Sequence, residues 1–319
     1  MISEITVTSN LHHAFTRVEA SQGMAGVDGV SLGGFKEDLA VNLAVLGEEL
    51  RSGEYAPLPL LRFLVAKRDG SPRPLSVPTV RDRVAQAAVL NSIEPIFEAQ
   101  FEEVSFAYRK GRSVRQAAYR IKELRDQGYR FVVDADLDAF FDNINHELLL
   151  PKVANIITDP DILRLIGLWV QAEVYDGEKI YIMEKGIPQG AVISPVLANL
   201  FLDELDEGLI RKGYALVRYA DDFVILARTR PEAEDAMAFT EEILEKMKLA
   251  LDTDDTEITD FDRGFTYLGL IFAGEAILAP FDRPKRERKV LYMPPPFDLE
   301  KYFAGREKLK VKGNDNIDV

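Results

Sequence analysis

The stretch Phe131 to Asp138, FVVDADLD, constrains this chain more than any other. Its apolar, β-branched start reads as a buried strand, yet it runs straight into Asp134, Asp136 and Asp138. Buried carboxylates are costly unless something positive meets them. A second acid pair, Asp221 and Asp222, follows about 80 residues later in ALVRYADDFVILA, which reads as two apolar strands around a tight turn. A strand end and a hairpin tip from distant segments meet when they share a sheet. Joining Asp136 to Asp221 and Asp222 would set three carboxylates within a few ångströms, a repulsion of order several kcal/mol per pair at intermediate dielectric. Divalent cations remove that objection, and ligands that are all oxygen select a hard ion, Mg²⁺ or Mn²⁺, over zinc. Two such ions roughly 4 Å apart can activate an attacking oxygen and stabilise the leaving oxygen of a phosphoryl displacement. Taken alone, an acid-tipped hairpin is equally an ordinary Asp-rich turn.

The whole chain narrows the choice. Its 319 residues include no cysteine, which excludes a disulfide framework, a thiolate metal site and a Cys nucleophile and favours a cytoplasmic setting. Met1 to Asn10 lacks a signal-peptide pattern, and no segment reaches the roughly 18 apolar residues of a membrane span, so no membrane partner is expected. A net charge of -14 argues against a nucleic-acid binder, because phosphate backbones are bound largely by Lys and Arg. Position changes that reading. Residues 51–130 carry a net +6 and 283–319 a net +4, whereas 1–50, 131–200 and 201–282 carry -5, -7 and -12. Such asymmetry fits separate surfaces with separate partners, or simply clustered solvated faces.

Along the chain, residues 1–50 read as short helices broken by the turn-rich Gly23 to Gly34. Leu60 to Val77 reads as a hairpin with its turn at Lys67, Arg68, Asp69 and Gly70. Helices are expected over Thr79 to Glu98 and Val114 to Arg125. Ser194 and Pro195 read as the N-cap and first residue of a helix through about Asp206, and Pro231 opens another with an apolar face to Leu251. Phe265 to Phe272, FTYLGLIF, reads as one strand. The Pro-rich, basic stretch from Ala279 reads as a tail or docking segment with a short helix near Leu299 to Lys308.

The motifs together resemble reverse transcriptases, specifically the group II intron-like bacterial branch. RDGSPRPLSVPTVRDRVAQAAVLNSIEPIFEAQF with SFAYRKGRS resembles that family's fingers. VVDADLDAFFDNINHELL resembles its motif A, GIPQGAVISPVLANLFLDELD its motif B, VRYADDFVIL its motif C and FTYLGLIF its primer-grip strand. The resemblance runs in order from about Gly26 to Gly274. It implies an α+β right-hand fold: fingers over residues 1–130, a palm with an antiparallel sheet backed by helices over 131–278, part of 150–185 returning to the fingers, and a tail at 279–319 with the thumb reduced or absent. It also implies an RNA-directed DNA polymerase that adds dNTPs to a DNA or RNA primer on an RNA template. Asp136 and Asp221 would bridge two Mg²⁺ ions (Mn²⁺ a possible substitute), with the Leu137 carbonyl as a further ligand and Asp222 as supporting acid. Lys67 and Arg73 would grip the triphosphate, with Arg68 sharing the task or merely solvated. Gln189 and Gly190 would abut the nascent base pair. Phe141 would exclude the ribose 2′-OH, one of Phe140 and Phe141 being an ordinary core residue. Asp134, Asp138 and Asp142 have local structural readings as well.

Departures from the pattern matter. The family's motif D lysine is replaced by Asp255 in DDTEIT, leaving Lys246 and Lys248 as candidates for a general acid. The tail segment KVLYMPPPFDLEKYF is similar to the one that precedes or replaces a junction to an integrase in CRISPR-associated reverse transcriptases. It implies a CRISPR adaptation integrase complex as partner and spacer acquisition from RNA as setting. Two other readings stand beside this one: a catalytically weak RNA-binding or structural subunit of an integrase complex, and a defence-type or untemplated DNA polymerase.

Overall fold

The computed structural model describes residues 1–67, 70–279 and 289–314, the last with side chains as far as Arg306. Arg68 and Asp69, at the tip of the expected basic hairpin, lie outside the described residues. The chain opens with the helices α1 (Ile2–Ile5), α2 (Thr8–Ala20), α3 (Leu32–Glu37) and α4 (Leu39–Ser52). Leu11, Ala14, Phe15 and Val18 form the buried stripe of α2, at the spacing of one helical face. The strands β1 (Leu60–Ala66) and β2 (Pro72–Val77) follow as an antiparallel hairpin. Pro72 and Pro74 donate no hydrogen bond, which suits β2 to a sheet edge.

Thr79 caps α5 (Val80–Glu98). Its hydroxyl accepts from the Asp82 N–H and donates to the Asp82 carboxylate at 2.8 Å. That buried carboxylate also accepts from the Tyr55 hydroxyl at 2.8 Å and the Leu58 N–H at 3.1 Å. Trp169 Nε1 donates to the Tyr55 hydroxyl at 3.0 Å. A buried acid is tolerated when donors surround it, and this one ties the start of α5 to the chain before β1 and to Trp169.

The middle of the chain supplies α6 (Val114–Asp126), β3 (Phe131–Ala135), the helical turn α7 (Phe140–Asn143), α8 (His146–Ile156), α9 (Pro160–Val170), β4 (Glu173–Tyr175) and β5 (Ile180–Ile182). Then come α10 (Ser194–Arg211), β6 (Ala215–Tyr219), β7 (Asp222–Ala227), α11 (Arg230–Lys246), β8 (Glu257–Asp260), β9 (Phe265–Tyr267), β10 (Leu270–Ala273), β11 (Ala276–Leu278), β12 (Val290–Tyr292) and α12 (Leu299–Asn314). Among the described residues one sheet has the order β6-β7-β3-β8 and is antiparallel throughout. A second has the order β12-β1-β4-β5 with β2 also on β1, and a third the order β11-β10-β9.

Alternation along the central sheet divides the core. Val133, Ala135, Phe223, Ile225 and Ala227 face one apolar cluster, shared with α5, α8, α10 and α11. Val132, Val224 and Leu226 face another, shared with α6 and with Phe265, Tyr267 and Phe272. Both faces of β3 are therefore buried, which is why its sequence is apolar without interruption until the acids. The result is an α+β fold with the fingers and palm architecture that the motifs imply.

Three expectations need correction. FTYLGLIF is a hairpin rather than one strand, because Leu268 and Gly269 both take positive φ (51° and 71°) and turn β9 back onto β10. Ser194 is the first helical residue and not the cap. Its hydroxyl donates to the Pro188 carbonyl at 2.8 Å, so it fastens the preceding loop instead of the helix end. That helix runs five residues past Asp206 to Arg211, because Leu209 continues the buried face.

Candidate active site

Asp136 leaves the end of β3 while Asp221 sits at the turn between β6 and β7. The β3–β7 register pairs Ala135 with Phe223, so the two acids meet at one end of the sheet. Burial first, and then the charge of Asp221, pushes the Asp136 carboxyl above its usual range. Burial likewise raises Asp221, against the pull of Arg73 and Arg218. The Leu137 N–H donates to Asp136 Oδ1 at 2.9 Å. Leu137 faces Leu251 in a bridge flanked by the bonds Asp252 N–H to Asp136 O and Asp138 N–H to Ala250 O. Its own N–H and carbonyl consequently point away from that partner strand, toward the side of the Asp136 carboxylate.

The structure does not gather all three expected acids into one cluster. Asp222 begins β7 on the face of Val224 and Leu226, because side chains alternate, and it shares that face with Asp134, which pairs with Val224. Asp134 is pushed up to about 7 by burial and by the charges of Asp222, Glu257 and Asp136. Tyr267 donates to the Asp222 carbonyl at 3.1 Å. Among the described residues no group of three His, Cys, Asp or Glu side chains could hold a metal ion. The arrangement offers the Asp136 and Asp221 carboxylates together with the Leu137 carbonyl, while Asp222, at the start of β7, adds its charge next to Asp134. An all-oxygen set with two acids raised by burial, Asp136 also by the Asp221 charge, fits a hard divalent cation.

Beneath the turn lies a buried network absent from the sequence reading. Arg218, wholly buried, is held by Asp206, itself wholly buried, through Nε at 2.7 Å and Nη2 at 2.5 Å. Its Nη1 donates to Asn199 Oδ1 and to the Ala220 carbonyl, both at 3.0 Å. Asn199 Nδ2 donates to the Ala107 carbonyl at 2.9 Å. Ala220 takes a φ of 62°, which an Ala adopts only under constraint. The guanidinium thus grips the strained residue that presents Asp221. A trace of this was readable: a lone Arg inside an apolar strand needs a buried acid, and Asp206 lies on the Leu202, Leu205, Leu209 face of α10.

Arg73 Nε donates to Gln189 Oε1 at 2.9 Å, and Gln189 Nε2 reaches Asp142 Oδ2 at 3.3 Å. The Gln189 carbonyl accepts from the Ser76 N–H at 3.0 Å. Gly190 takes a φ of 125°, and a Cβ there would stand 3.1 Å from the Ser76 carbonyl, so glycine is required where this loop crosses β2. Gln86 Oε1 accepts from the Val192 N–H at 2.8 Å and fixes the loop's far end. Lys67 is exposed beside the hairpin turn. Phe140 is 2% exposed and Phe141 8%, with their rings edge to face at 5.4 Å. Asp138 is exposed. Asp255 adds negative charge near Asp136, while Lys248 reaches Glu147 at 3.5 Å and Lys246 is exposed on the last turn of α11.

Comparison with known proteins identifies relatives of this chain. The family described as reverse transcriptase (RNA-dependent DNA polymerase) matches residues 65–272. Protein YkfC of Escherichia coli (strain K12) is 35% identical over 283 residues, covering 76% of this chain and 74% of YkfC. Group II intron-encoded protein LtrA of Lactococcus lactis subsp. cremoris is 34% identical over 56% of this chain and 29% of LtrA. A solved partial Cas6-RT-Cas1–Cas2 complex aligns at 26% identity over 77% of this chain and 41% of that one, with a TM-score of 0.48. The chain thus spans about three quarters of YkfC but less than half of the other two.

Two predictions follow from the buried network. Arg218→Met strands the buried Asp206 charge and should cost about 3–5 kcal/mol in urea unfolding, and adding Asp206→Leu should recover most of it. The second concerns Asp203, which is pushed up to about 7 by burial and by Asp206 and Glu207, against the pull of Arg218, and whose Oδ1 has no partner. The unfolded chain sheds that proton near pH 4 and the folded chain holds it to about pH 7, so stability falls across this window as pH rises. Asp203→Asn should match the parent's melting temperature at pH 4 and exceed it at pH 8, as read by thermal denaturation.

Proposed function

The chain belongs to the reverse transcriptase (RNA-dependent DNA polymerase) family, and we propose that it extends a primer 3′-OH along an RNA template with deoxynucleoside triphosphates. The observation that carries this reading is the pairing of Asp136 and Asp221 at one end of the sheet, with the Leu137 carbonyl turned to the same side. These three groups would hold two divalent cations, with Mg²⁺ as the natural ion and Mn²⁺ as a substitute. Bound there, the cations supply charge neutralisation for the attacking and leaving oxygens.

The chain's own residues do the rest. Arg73, anchored by Gln189, and Lys67 at the hairpin turn meet the β and γ phosphates, where charge-assisted hydrogen bonds favour a departing pyrophosphate. Gln189 and Gly190 bring bare backbone against the nascent base pair. Phe141 is tied to that loop, its carbonyl accepting from the Ile187 N–H at 2.8 Å, and in this reading its ring stands where a ribose 2′-OH would collide. Asp255 occupies the motif D position, so pyrophosphate is protonated by water or by a group other than the family's usual lysine.

A second proposal concerns the setting. The resemblance of residues 289–303 to CRISPR-associated reverse transcriptases favours an adaptation integrase as partner. Val290, Leu291, Tyr292 and Met293 in that segment are each 42–47% exposed, and β12 adds them to the sheet edge of β1. Co-expression with a CRISPR Cas1–Cas2 integrase should give a co-purifying complex that Leu291→Asp with Met293→Asp disperses. Recovery of this chain alone would argue against the setting and leave the polymerase reading untouched.

Primer extension on an RNA template tests the main reading. Asp136→Ala or Asp221→Asn should reduce Mg²⁺-dependent extension by at least about 10³-fold, the scale of removing a principal electrostatic contributor, while product sequence follows the template for the parent protein. Full-length extension by either variant would refute the cation site, and product unrelated to template would favour the untemplated reading. In the same assay Phe141→Ala should raise ribonucleotide incorporation; an unchanged dNTP-to-rNTP preference would count against its assignment.

A further inference from the structure

Tyr108 is absent from the assignments above, and its setting is unusual. It is 52% exposed, while Ala107 before it is wholly buried and Arg109 after it is 7% exposed. Its φ is 59°, a left-handed conformation that a bulky side chain adopts at a cost and that persists only where the surroundings over-determine it. They do so here. The segment before it runs parallel to β6, with Ser105 bridged to Arg218, the Arg218 N–H on the Val104 carbonyl at 2.8 Å and the Phe106 N–H on the Arg218 carbonyl at 2.9 Å. On the other side the Arg109 guanidinium holds the Glu98 carboxylate at 2.8 Å, the Ser105 carbonyl at 2.8 Å and the Phe101 carbonyl at 3.2 Å.

The two segments run side by side at Ser105 and Arg218 and then both turn, at Ala107 and Tyr108 and at Ala220 and Asp221, which sets Tyr108 near Asp221. Asn199 confirms it, since one amide joins the Ala107 carbonyl to the guanidinium that also holds the Ala220 carbonyl. The residues that precede Tyr108 and Asp221 are thus pinned to the same buried group. The charges of Asp221, Arg73 and Asp222 are all felt at the Tyr108 hydroxyl.

The side of the site it occupies identifies what it meets. The nucleotide-facing groups Arg73, Gln189 and Phe141 gather next to motif A, linked through Asp142. Tyr108 stands on the flank of β6, an edge strand that β7 separates from β3 and motif A, with the Arg73 charge still within reach. In an in-line displacement the attacking oxygen enters opposite the leaving group. With pyrophosphate leaving toward Lys67 and Arg73, the primer's 3′-OH comes from the Tyr108 side.

We propose that Tyr108 is a primer-terminus contact, its ring packed against the 3′-terminal nucleotide so that the 3′-OH lies over Asp221. The proposal rests on the polymerase reading given above. It also gives the backbone strain a purpose: a glycine would sit there without cost, and only a side chain that touches substrate justifies a tyrosine.

Steady-state extension by the full chain on an RNA template, with primer and dNTP concentrations varied separately, tests it. Tyr108→Gly relieves the strained φ, so its melting temperature should equal or exceed the parent's. Its primer KM should rise at least about fivefold, the lower range for losing one aromatic stack on a base, with dNTP KM within twofold. Tyr108→Phe should stay close to the parent. An unchanged primer KM in Tyr108→Gly, or a rise confined to dNTP KM, would overturn the proposal, the latter placing the ring on the incoming nucleotide instead. Failure of the parent protein to extend any primer would instead overturn the polymerase reading itself.

Discussion

The site depends on one buried ion pair. Arg218 and Asp206 are both wholly buried, and a charge in that position is tolerated only with its partner and a full set of hydrogen bonds. Here the pair serves as a joint. Through Arg218 it reaches the Ala220 carbonyl at the hairpin turn, through Asn199 the Ala107 carbonyl of the loop beside β6, and through Asp206 the helix α10. Each of these segments carries or supports a group at the site. Apolar side chains could fill the same volume, but they could not hold two strained residues, Ala220 by its own carbonyl and Tyr108 by that of Ala107. Directional bonds buried away from water do that.

Around this joint the acids crowd one end of the central sheet. Asp136 feels the charge of Asp221, and Asp134 feels those of Asp222, Glu257 and Asp136. Asp134, Asp136 and Asp221 are held above the usual carboxylate range by burial, the first two also by neighbouring acids, as expected of negative charge assembled before a positive partner arrives. The net charge of -14 is then less an argument against nucleic acid than a statement of where cations are required. The basic surplus of residues 51–130 lies in the hairpin and helices that flank the site.

Much of this was legible in the sequence. The apolar strand ending in acids, the hairpin with carboxylates at its turn and the helices Val80–Glu98 and Val114–Asp126 all follow from local chemistry. What failed did so for identifiable reasons. FTYLGLIF hides its turn because Leu268, an unlikely residue for positive φ, shares the burden with Gly269. The nearness of Asp222 to Asp134 is set by the β3–β7 register, which the sequence does not display. Arg218, Asn199, Gln86 and Tyr108 act through contacts with residues far away in sequence, for which periodicity gives no sign.

The central claim is that Asp136, Asp221 and the Leu137 carbonyl form the cation site, with Asp222 in support. Crystals of the protein with an RNA–DNA primer-template and a non-hydrolysable dNTP, grown in Mn²⁺ and measured at the manganese absorption edge, test it most directly. The account predicts anomalous density bridging Asp136 and Asp221, within ligand distance of the Leu137 carbonyl. Density centred on Asp134, Asp222 and Glu257, or none beside Asp136 with the nucleotide in place, would contradict it.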